Sequence, residues 1–438
     1  MSVVFALATP PAKSAICIFR VSGPGCLSKI PELVGSPLEK NKKFYLRPVK
    51  NKSGDVVDRV GIISFRGPDS YTGEDSFEVY AHGGLGVMAM LVDVFKSLGF
   101  DEAPPGEFTK RAFLNNKISL AEAEAVVDLI DSHDQDGVLL SSNTLSGGFT
   151  EKVSGFSDAI NNLRVRVEGE IDFSDEGESF FDSSLPNELS LLVENFKLFV
   201  GGCLNKKNHS AKNKVMFVGP VNSGKSSVFN RLLGFERALV SEKPGTTRDL
   251  VESEIFYNEA SFSISDTAGL RETDDVIESK GMQFALEHLN SVDLVIGVFD
   301  SDEDSILDRF SELSKEKNYL KVYNKTDLGY VVRDGVFDCM VSAKTGEGFD
   351  GLKKLISNAF KTGVSGDYMY LVRDRHIKLF QSSIYHLENA HIKLSEGGGL
   401  ELIAEDLKLA RSDLNEIIGV KMSDSLLGDI FSSFCIGK

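Results

Sequence analysis

The stretch "KVMFVGPVNSGKSSVFNRLLG" (214–234) decides the architecture of the central part of this chain. An apolar, β-branched run comes first, then a glycine-bounded turn, then a run with helical spacing. The turn "GPVNSGKS" (219–226) matches G-x-x-x-x-G-K-S in the strand-loop-helix context that pattern requires. Gly219 and Gly224 let the backbone curl so that its N–H groups face phosphate oxygens. Lys225 is placed to reach β- and γ-phosphates, and the Ser226 hydroxyl to hold Mg²⁺. A chance glycine turn is the competing reading of this segment alone.

Four further segments follow in order. "PGTTRD" (244–249) supplies Thr247 as a second Mg²⁺ ligand on a switch loop. "DTAG" (266–269) ends an alternating strand, with Asp266 set to hold the Mg²⁺ shell through water and Gly269 to bond the γ-phosphate. "NKTD" (324–327) ends another strand. Asp327 can accept from guanine N1–H and the 2-amino group, and adenine lacks both donors. "SAK" (342–344) offers backbone N–H to guanine O6. Five elements in this order define a guanine-nucleotide domain. The expected nucleotide contacts are Asn222, Ser223, Gly224, Lys225, Ser226, Ser227, Ser241, Thr246, Thr247, Asp266, Thr267, Ala268, Gly269, Asn324, Lys325, Asp327, Ser342, Ala343 and Lys344.

Leu270 stands where many small GTPases place a glutamine that orients water. That group must come from elsewhere, and the carboxylates of "RETDDVIESKG" (271–281) are the candidates. No arginine finger is evident. Asn222 is either a turn former or the carbonyl ligand of a monovalent cation that neutralises charge between the phosphates.

Working outward, 438 residues imply two to four domains. A 42% hydrophobic and 26% charged composition is that of a globular protein. No apolar run is long enough to cross a bilayer, and no secretory signal pattern opens the chain, so a soluble cytoplasmic protein is expected. Five scattered cysteines without C-x-x-C spacing argue against a disulfide framework or a zinc site. Residues 1–118 carry 15 basic against 12 acidic side chains; the remaining 320 carry 33 against 53. An acidic surface is a poor general ligand for phosphate backbones, so any RNA contact must be local or shared with a partner.

Residues 1–118 read as a small α+β domain, with strands in "SAICIFRVSG", "RVGIISFRG" and "DSFEVYAHGG". At Ser119 a capping box with Glu122 opens a helical region that runs to 209. The acidic stretch "DFSDEGESFFDSSLP" interrupts it and reads as an exposed loop. Strand and helix signals alternate over 210–362, which argues a mainly parallel sheet with flanking helices. Residues 363–438 are helical again, so an α/β domain is inserted into a split helical domain.

The flanking segments "ATPP" (8–11), "RVSGP" (20–24), "YTGED" (71–75), "HGG" (82–84), "PGEFTKRAFLNNKISLAEAEAVVDLI" (105–130), "DTAGLRET" (266–273) and "CIGK" (435–438) resemble the MnmE (TrmE) family of tRNA-modification GTPases over essentially the whole chain. The resemblance implies an N-terminal tetrahydrofolate-binding and dimerisation domain, a split helical domain and an inserted Ras-like P-loop G domain. It implies a homodimer that joins an FAD-dependent MnmG (GidA)-type protein in a heterotetramer or larger complex. Together these add an aminomethyl-type group, such as a carboxymethylaminomethyl group, to C5 of the wobble uridine (U34) of certain tRNAs. The one-carbon unit comes from 5,10-methylene- or 5-formyl-tetrahydrofolate. GTP hydrolysis is implied to be potassium-stimulated and coupled to G-domain dimerisation.

By the same resemblance, Arg20, Glu78, Lys117 and Lys438 are folate-contacting positions. Basic groups suit the glutamate-tail carboxylates and a carboxylate suits the aminopterin edge. Arg20 and Lys117 also read as solvated surface charges. Asn222, Ser241, Lys243 and Thr246 are implied potassium ligands. Glu278 is implied to orient the attacking water through a second water. Cys435 is carried as a catalytic candidate, its role open between nucleophile, acid–base group and pocket wall. Pro220 and Val221 replace the family's usual Arg-Pro pair, and Pro244 stiffens the loop assigned to potassium. Two other readings compete: a ribosome-assembly or regulatory GTPase of the same superfamily, and a folate-dependent transferase with a G domain as regulator. The acidic helical C-terminal part counts against the first.

Overall fold

The fold is taken from a computed structural model. It describes residues 2–132, 135–173, 184–206, 213–220, 222–234, 252–257, 260–265, 292–304, 307, 318–330, 332–360, 368–420, 424–432, 434 and 437. The chain divides into two compact units. One holds residues 1–130, 140–205 and 369–438; the other holds 131–139 and 206–368.

The first unit opens with strands β1 (Val4–Leu7) and β2 (Ile16–Ser22), helix α1 (Ile30–Val34), strands β3 (Tyr45–Lys50), β4 (Val56–Phe65) and β5 (Ser76–His82), helix α2 (Leu85–Ser97), strand β6 (Asp101–Glu102) and helix α3 (Glu107–Leu114). The strands form one sheet in the order β3-β4-β5-β2-β1-β6, antiparallel except for β1–β6. Alternation decides its two faces. Cys17, Phe19 and Val21 of β2 and Phe77, Val79 and Ala81 of β5 are buried in a core with Leu91, Val94 and Phe95 of α2. The intervening residues, Arg20 on β2 and Glu78 and Tyr80 on β5, are only partly covered. The register sets Arg20 directly opposite Glu78.

Next come helices α4 (Leu120–Asp131), α5 (Gln135–Leu145), α6 (Gly148–Phe173) and α7 (Leu185–Gly201) and the short strand β7 (Cys203–Asn205). The expected capping box is present: Ser119 N–H donates to Glu122 Oε2 at 2.8 Å, and Glu122 N–H to Ser119 Oγ at 3.2 Å. The acidic stretch read as a loop lies largely outside the described residues.

The second unit contains β8 (Asn213–Val218), α8 (Lys225–Gly234), β9 (Glu252–Tyr257), β10 (Ala260–Ser265), β11 (Leu294–Phe299), β12 (Asn318–Tyr323), β13 (Cys339–Met340) and α9 (Phe349–Phe360). Its sheet runs β13-β12-β11-β8-β10-β9 and is parallel except for β9–β10. All six residues of β11 are buried, as a central strand covered on both faces requires.

The chain re-enters the first unit through β14 (Tyr370–Val372), which pairs parallel with β7. Helices α10 (Asp374–Ser395), α11 (Leu400–Ile418) and α12 (Asp424–Ser432) follow. Helices α6, α7, α10 and α11 share one core, with Phe149, Phe196 and Phe380 fully buried and Phe196 edge-on to Phe380 at 5.7 Å. Each such ring contributes roughly 2–3 kcal/mol by burial. Among the described residues no helix is long and apolar enough to cross a membrane.

Candidate functional site

The turn between β8 and α8 is shaped by its glycines. Gly219 has φ +147°, and a Cβ there would lie 2.1 Å from the Val298 carbonyl oxygen. Gly224 has φ +90°, and its Cβ would lie 2.2 Å from Asn324 Nδ2. Asn222, exposed, takes the left-handed conformation at φ +64°. Lys225 and Ser226 are half-buried and Ser227 exposed at the start of α8, where unpaired N–H groups and the helix dipole favour an anion. Lys225 Nζ donates to the carbonyls of Gly219 at 2.9 Å and Pro220 at 2.8 Å, so its ammonium is held over the turn.

Asn324, at the end of β12, is 2% exposed. Its Nδ2 donates to the Ser223 carbonyl at 2.9 Å, and its Oδ1 accepts from Ala343 N–H at 3.0 Å. One amide thus ties the phosphate turn to the loop after β13. Ser223 is fully buried, with its carbonyl taken by that bond. Asp327 sits in a 3-10 turn, and its Oδ1 accepts from Ser342 Oγ at 2.7 Å. Ser342 Oγ in turn accepts from Thr345 N–H at 3.1 Å, which points the hydroxyl proton at Asp327. Lys344 Nζ stands 4.0 Å from Asp327 Oδ2. Lys325, at φ +68°, is paired with Asp300 at 2.5 Å. Arg231 of α8 clamps the same loop through the carbonyls of Lys344 and Thr345, at 3.2 and 2.9 Å. The sequence carries no local signal for that clamp, because 113 and 114 residues separate the partners.

Ser241, Lys243, Thr246, Thr247, Asp266, Thr267, Ala268, Gly269, Glu278, Cys435 and Lys438 lie outside the described residues.

In the first unit, Arg20 Nε pairs with Glu78 Oε1 at 3.0 Å. The other Glu78 oxygen accepts from Tyr80 OH at 2.7 Å. Burial, together with that bond to Glu78, pushes the Tyr80 phenol up to about 12. The Arg20 guanidinium lies 5.5 Å from the Tyr71 ring and 5.8 Å from Phe108. Tyr71 OH meets Thr109 Oγ1 at 3.0 Å, which fastens its loop to α3. Lys117 is exposed, with its methylenes against Gly73 in that loop. The chain end reaches the same place: Gly437 is buried, and its carbonyl lies 3.5 Å from Arg20 Nη1. Tyr71 and Tyr80 were not among the expected contacts. The period-two pattern of "SFEVYAH" was the available signal for Tyr80 beside Glu78.

A G-x-x-x-x-G-K-S turn between strand and helix, tied through Asn324 to the loop whose Ser342 holds Asp327, is the arrangement of a P-loop GTPase, an enzyme that hydrolyses GTP. Residues 120–435 match the family model described as the MnmE helical domain, and residues 3–117 match the GTP-binding protein TrmE N-terminus. The chain belongs to the MnmE family of tRNA-modification GTPases. It is 35% identical over 455 residues to the tRNA modification GTPase MnmE of Dichelobacter nodosus, covering 99% of each chain. The proteins of the same name from Thermosipho melanesiensis and Bordetella bronchiseptica are 35% and 37% identical, again over 99% of each chain. Among solved structures, the G domain of T. maritima FeoB is similar over 33% of this chain and 97% of its own, with 26% identity and a TM-score of 0.25.

Proposed function

We propose that this GTPase modifies C5 of the wobble uridine (U34) of certain tRNAs, together with an FAD-dependent MnmG-type protein. The added group is of the aminomethyl or carboxymethylaminomethyl type, built on a one-carbon unit from 5,10-methylene- or 5-formyl-tetrahydrofolate. The observation that carries the reading is similarity along 99% of both chains to proteins named for tRNA modification, not similarity of the G domain alone. The reading places 1–118 as the folate-binding and homodimerising domain, 119–209 and 363–438 as the helical domain, and 210–362 as the G domain of a cytoplasmic protein.

The residues present fit a folate. Arg20 and Lys117 offer cationic donors to glutamyl carboxylates, Glu78 offers an acceptor, and Tyr71, 40% exposed, offers an aromatic face beside them. Gly437, whose carbonyl lies 3.5 Å from Arg20 Nη1, brings backbone from the C-terminal segment to the same cluster. For Mg²⁺, the Ser226 hydroxyl is a hard oxygen donor of the kind this ion accepts alongside nucleotide phosphates. It would neutralise charge on the phosphates, with Thr247 as the second side-chain ligand.

The test is deletion of the gene followed by mass spectrometry of tRNA nucleosides. Loss of C5-substituted wobble uridine is expected. Unchanged nucleosides with altered ribosome profiles would instead support a ribosome-assembly GTPase.

The same proposal assigns K⁺ to Asn222, whose left-handed backbone leaves the side chain exposed on the phosphate turn, with Ser241, Lys243 and Thr246 completing the set and Glu278 orienting water. GTP hydrolysis is then expected to run roughly tenfold or more faster in KCl than in NaCl, and Asn222→Ala to erase the difference. Equal parental rates in the two salts would remove the potassium claim.

A further inference from the structure

Two carboxylates on one face of α4 are almost completely buried, Glu124 at 3% and Asp128 at 4% exposure. Arg373, the residue that follows β14, grips Asp128 through Nη2 at 2.6 Å and Nε at 3.3 Å, and reaches the Glu124 carbonyl at 3.2 Å. Arg375 Nη2 donates to Glu124 Oε2 at 2.9 Å, while its Nη1 donates to the Glu416 carbonyl at 3.1 Å, in the last turn of α11. His376 Nδ1 accepts from Arg373 N–H at 3.3 Å, and its Nε2 stands 2.8 Å from Glu124 Oε2 and 3.1 Å from Arg375 Nη2. Burial would raise the Glu124 carboxyl; the facing His376, Arg375 and Arg373 outweigh it and hold it at about 2. Glu124 is therefore ionised at any physiological pH.

Its position in the chain is the second observation. The backbone passes between the two compact units at 130/131, 139/140, 205/206 and 368/369. Asp128 precedes the first crossing by two residues. After the second, Asn143 Nδ2 donates to the Met369 carbonyl at 3.1 Å, and Thr144 Oγ1, 3.1 Å from the Leu140 carbonyl, lies 3.4 Å from that of Leu371. At the third, Asn205 Nδ2 donates to Asp374 Oδ1 at 2.7 Å. The fourth leads through β14 straight to Arg373. Every crossing thus lies within a few residues of one buried ionic cluster or of a side chain bonded to the segment it anchors.

The opposite end of the cluster leads elsewhere. Gly419, just past the α11 carbonyls that Arg375 holds, packs against Phe113 and Leu120. Helix α12 then lies on α3, with Phe431 6.3 Å from Phe113, and the chain ends with Gly437 beside Arg20.

A buried ion-pair network is weak evidence for stability, since apolar residues of equal volume often serve as well; what it fixes is one geometry. We infer that Glu124, Asp128, Arg373, Arg375 and His376 are positioning residues that form the joint through which the nucleotide state of the G domain reaches the rest of the chain. The inference rests on the proposed reading, in which GTP turnover in the insert serves chemistry outside it.

The test compares amide hydrogen exchange of the full-length protein bound to GDP and to a non-hydrolysable GTP analogue. In the parent, exchange in α4 and the first turn of α10 is expected to differ at least about threefold between the two states. Arg373→Lys keeps the charge and loses the two-pronged grip; Glu124→Gln removes the shared carboxylate. Both are expected to abolish the difference and leave nucleotide affinity within about twofold. Ile403→Ala, at the far end of α11, opens a cavity in the same core and lowers Tm without touching the joint, and it is expected to keep the difference. Absence of a nucleotide response in the parent, or its survival in the joint variants, overturns the inference. Should Glu124→Gln fail to fold, Arg373→Lys decides, since its side chain is 22% exposed and the swap is mild. Nucleoside analysis on the same strains separates the two proposals: a parent with the exchange response but no modified uridine sinks the functional reading and leaves the joint standing.

Discussion

Asp327→Asn is expected to weaken GTP binding by roughly 10³-fold or more and to create binding of xanthosine triphosphate. The side chain proposed to read the base is held by its neighbours. Ser342 Oγ is held by Thr345 N–H at 3.1 Å and therefore gives its proton to Asp327 Oδ1 at 2.7 Å. In the variant, the amide oxygen keeps that bond, because only the oxygen can accept it. The new NH₂ then points where the second carboxylate oxygen was. Guanine presents donors there, N1–H and the 2-amino group, so donor would meet donor and neither would gain a partner. Xanthine carries a carbonyl in place of the amino group and accepts from the new amide. Titration with fluorescent guanosine and xanthosine nucleotides gives the answer directly. Unchanged GTP affinity with no gain for xanthosine would mean that Asp327 does not read the base. Ser342→Ala supplies a graded companion: it removes the orienting bond alone, and a loss of about tenfold or less in GTP affinity is expected.

What could be read in the sequence was local, and what could not was distant. The phosphate turn, the "NKTD" and "SAK" loops and the Ser119–Glu122 cap are each complete within a few residues, so spacing alone identifies them. The strands β2, β4 and β5 were equally legible as β-rich runs bounded by turns. Strands β7 and β14 escaped because three residues give no periodicity, and their pairing joins positions 167 residues apart. The ionic joint escaped for the same reason. Glu124 and Asp128 fall in a run read only as helical, and "RDRH" (373–376) in a second such region. Only the folded chain shows that both faces turn inward and meet. On the sheet face around Arg20, the sequence reading takes Arg20 and Glu78 as separate ligand contacts, whereas the register makes them each other's partner first. Any folate that binds there must therefore share or reorganise that pair. The position of Asn324 between two loops likewise depends on a contact spanning 101 residues, which "NKTD" does not announce.

That contact leaves no room for a methyl group at Gly224. Gly224→Ala is expected to reduce GTP affinity and hydrolysis by at least roughly 100-fold, through two separable costs. The first is backbone strain. At φ +90° an L-residue loses about 1–2 kcal/mol relative to glycine. The second is collision. The new Cβ would stand 2.2 Å from Asn324 Nδ2, and Asn324 is 2% exposed with both ends of its amide engaged. It cannot swing away without releasing either the Ser223 carbonyl or Ala343 N–H. Releasing the first frees the phosphate turn, and releasing the second frees the loop that faces the base. Strain alone is isolated by Gly335→Ala, which has φ +78° but nothing within 4 Å of its Cβ. If collision governs, Gly335→Ala costs only a few degrees of Tm and leaves GTP affinity within about twofold, while Gly224→Ala loses both phosphate and base recognition. A Gly224→Ala protein that binds GDP as the parent does would show that the Asn324 bridge is dispensable, and the coupling of the two loops would have to be sought in the Arg231 clamp instead.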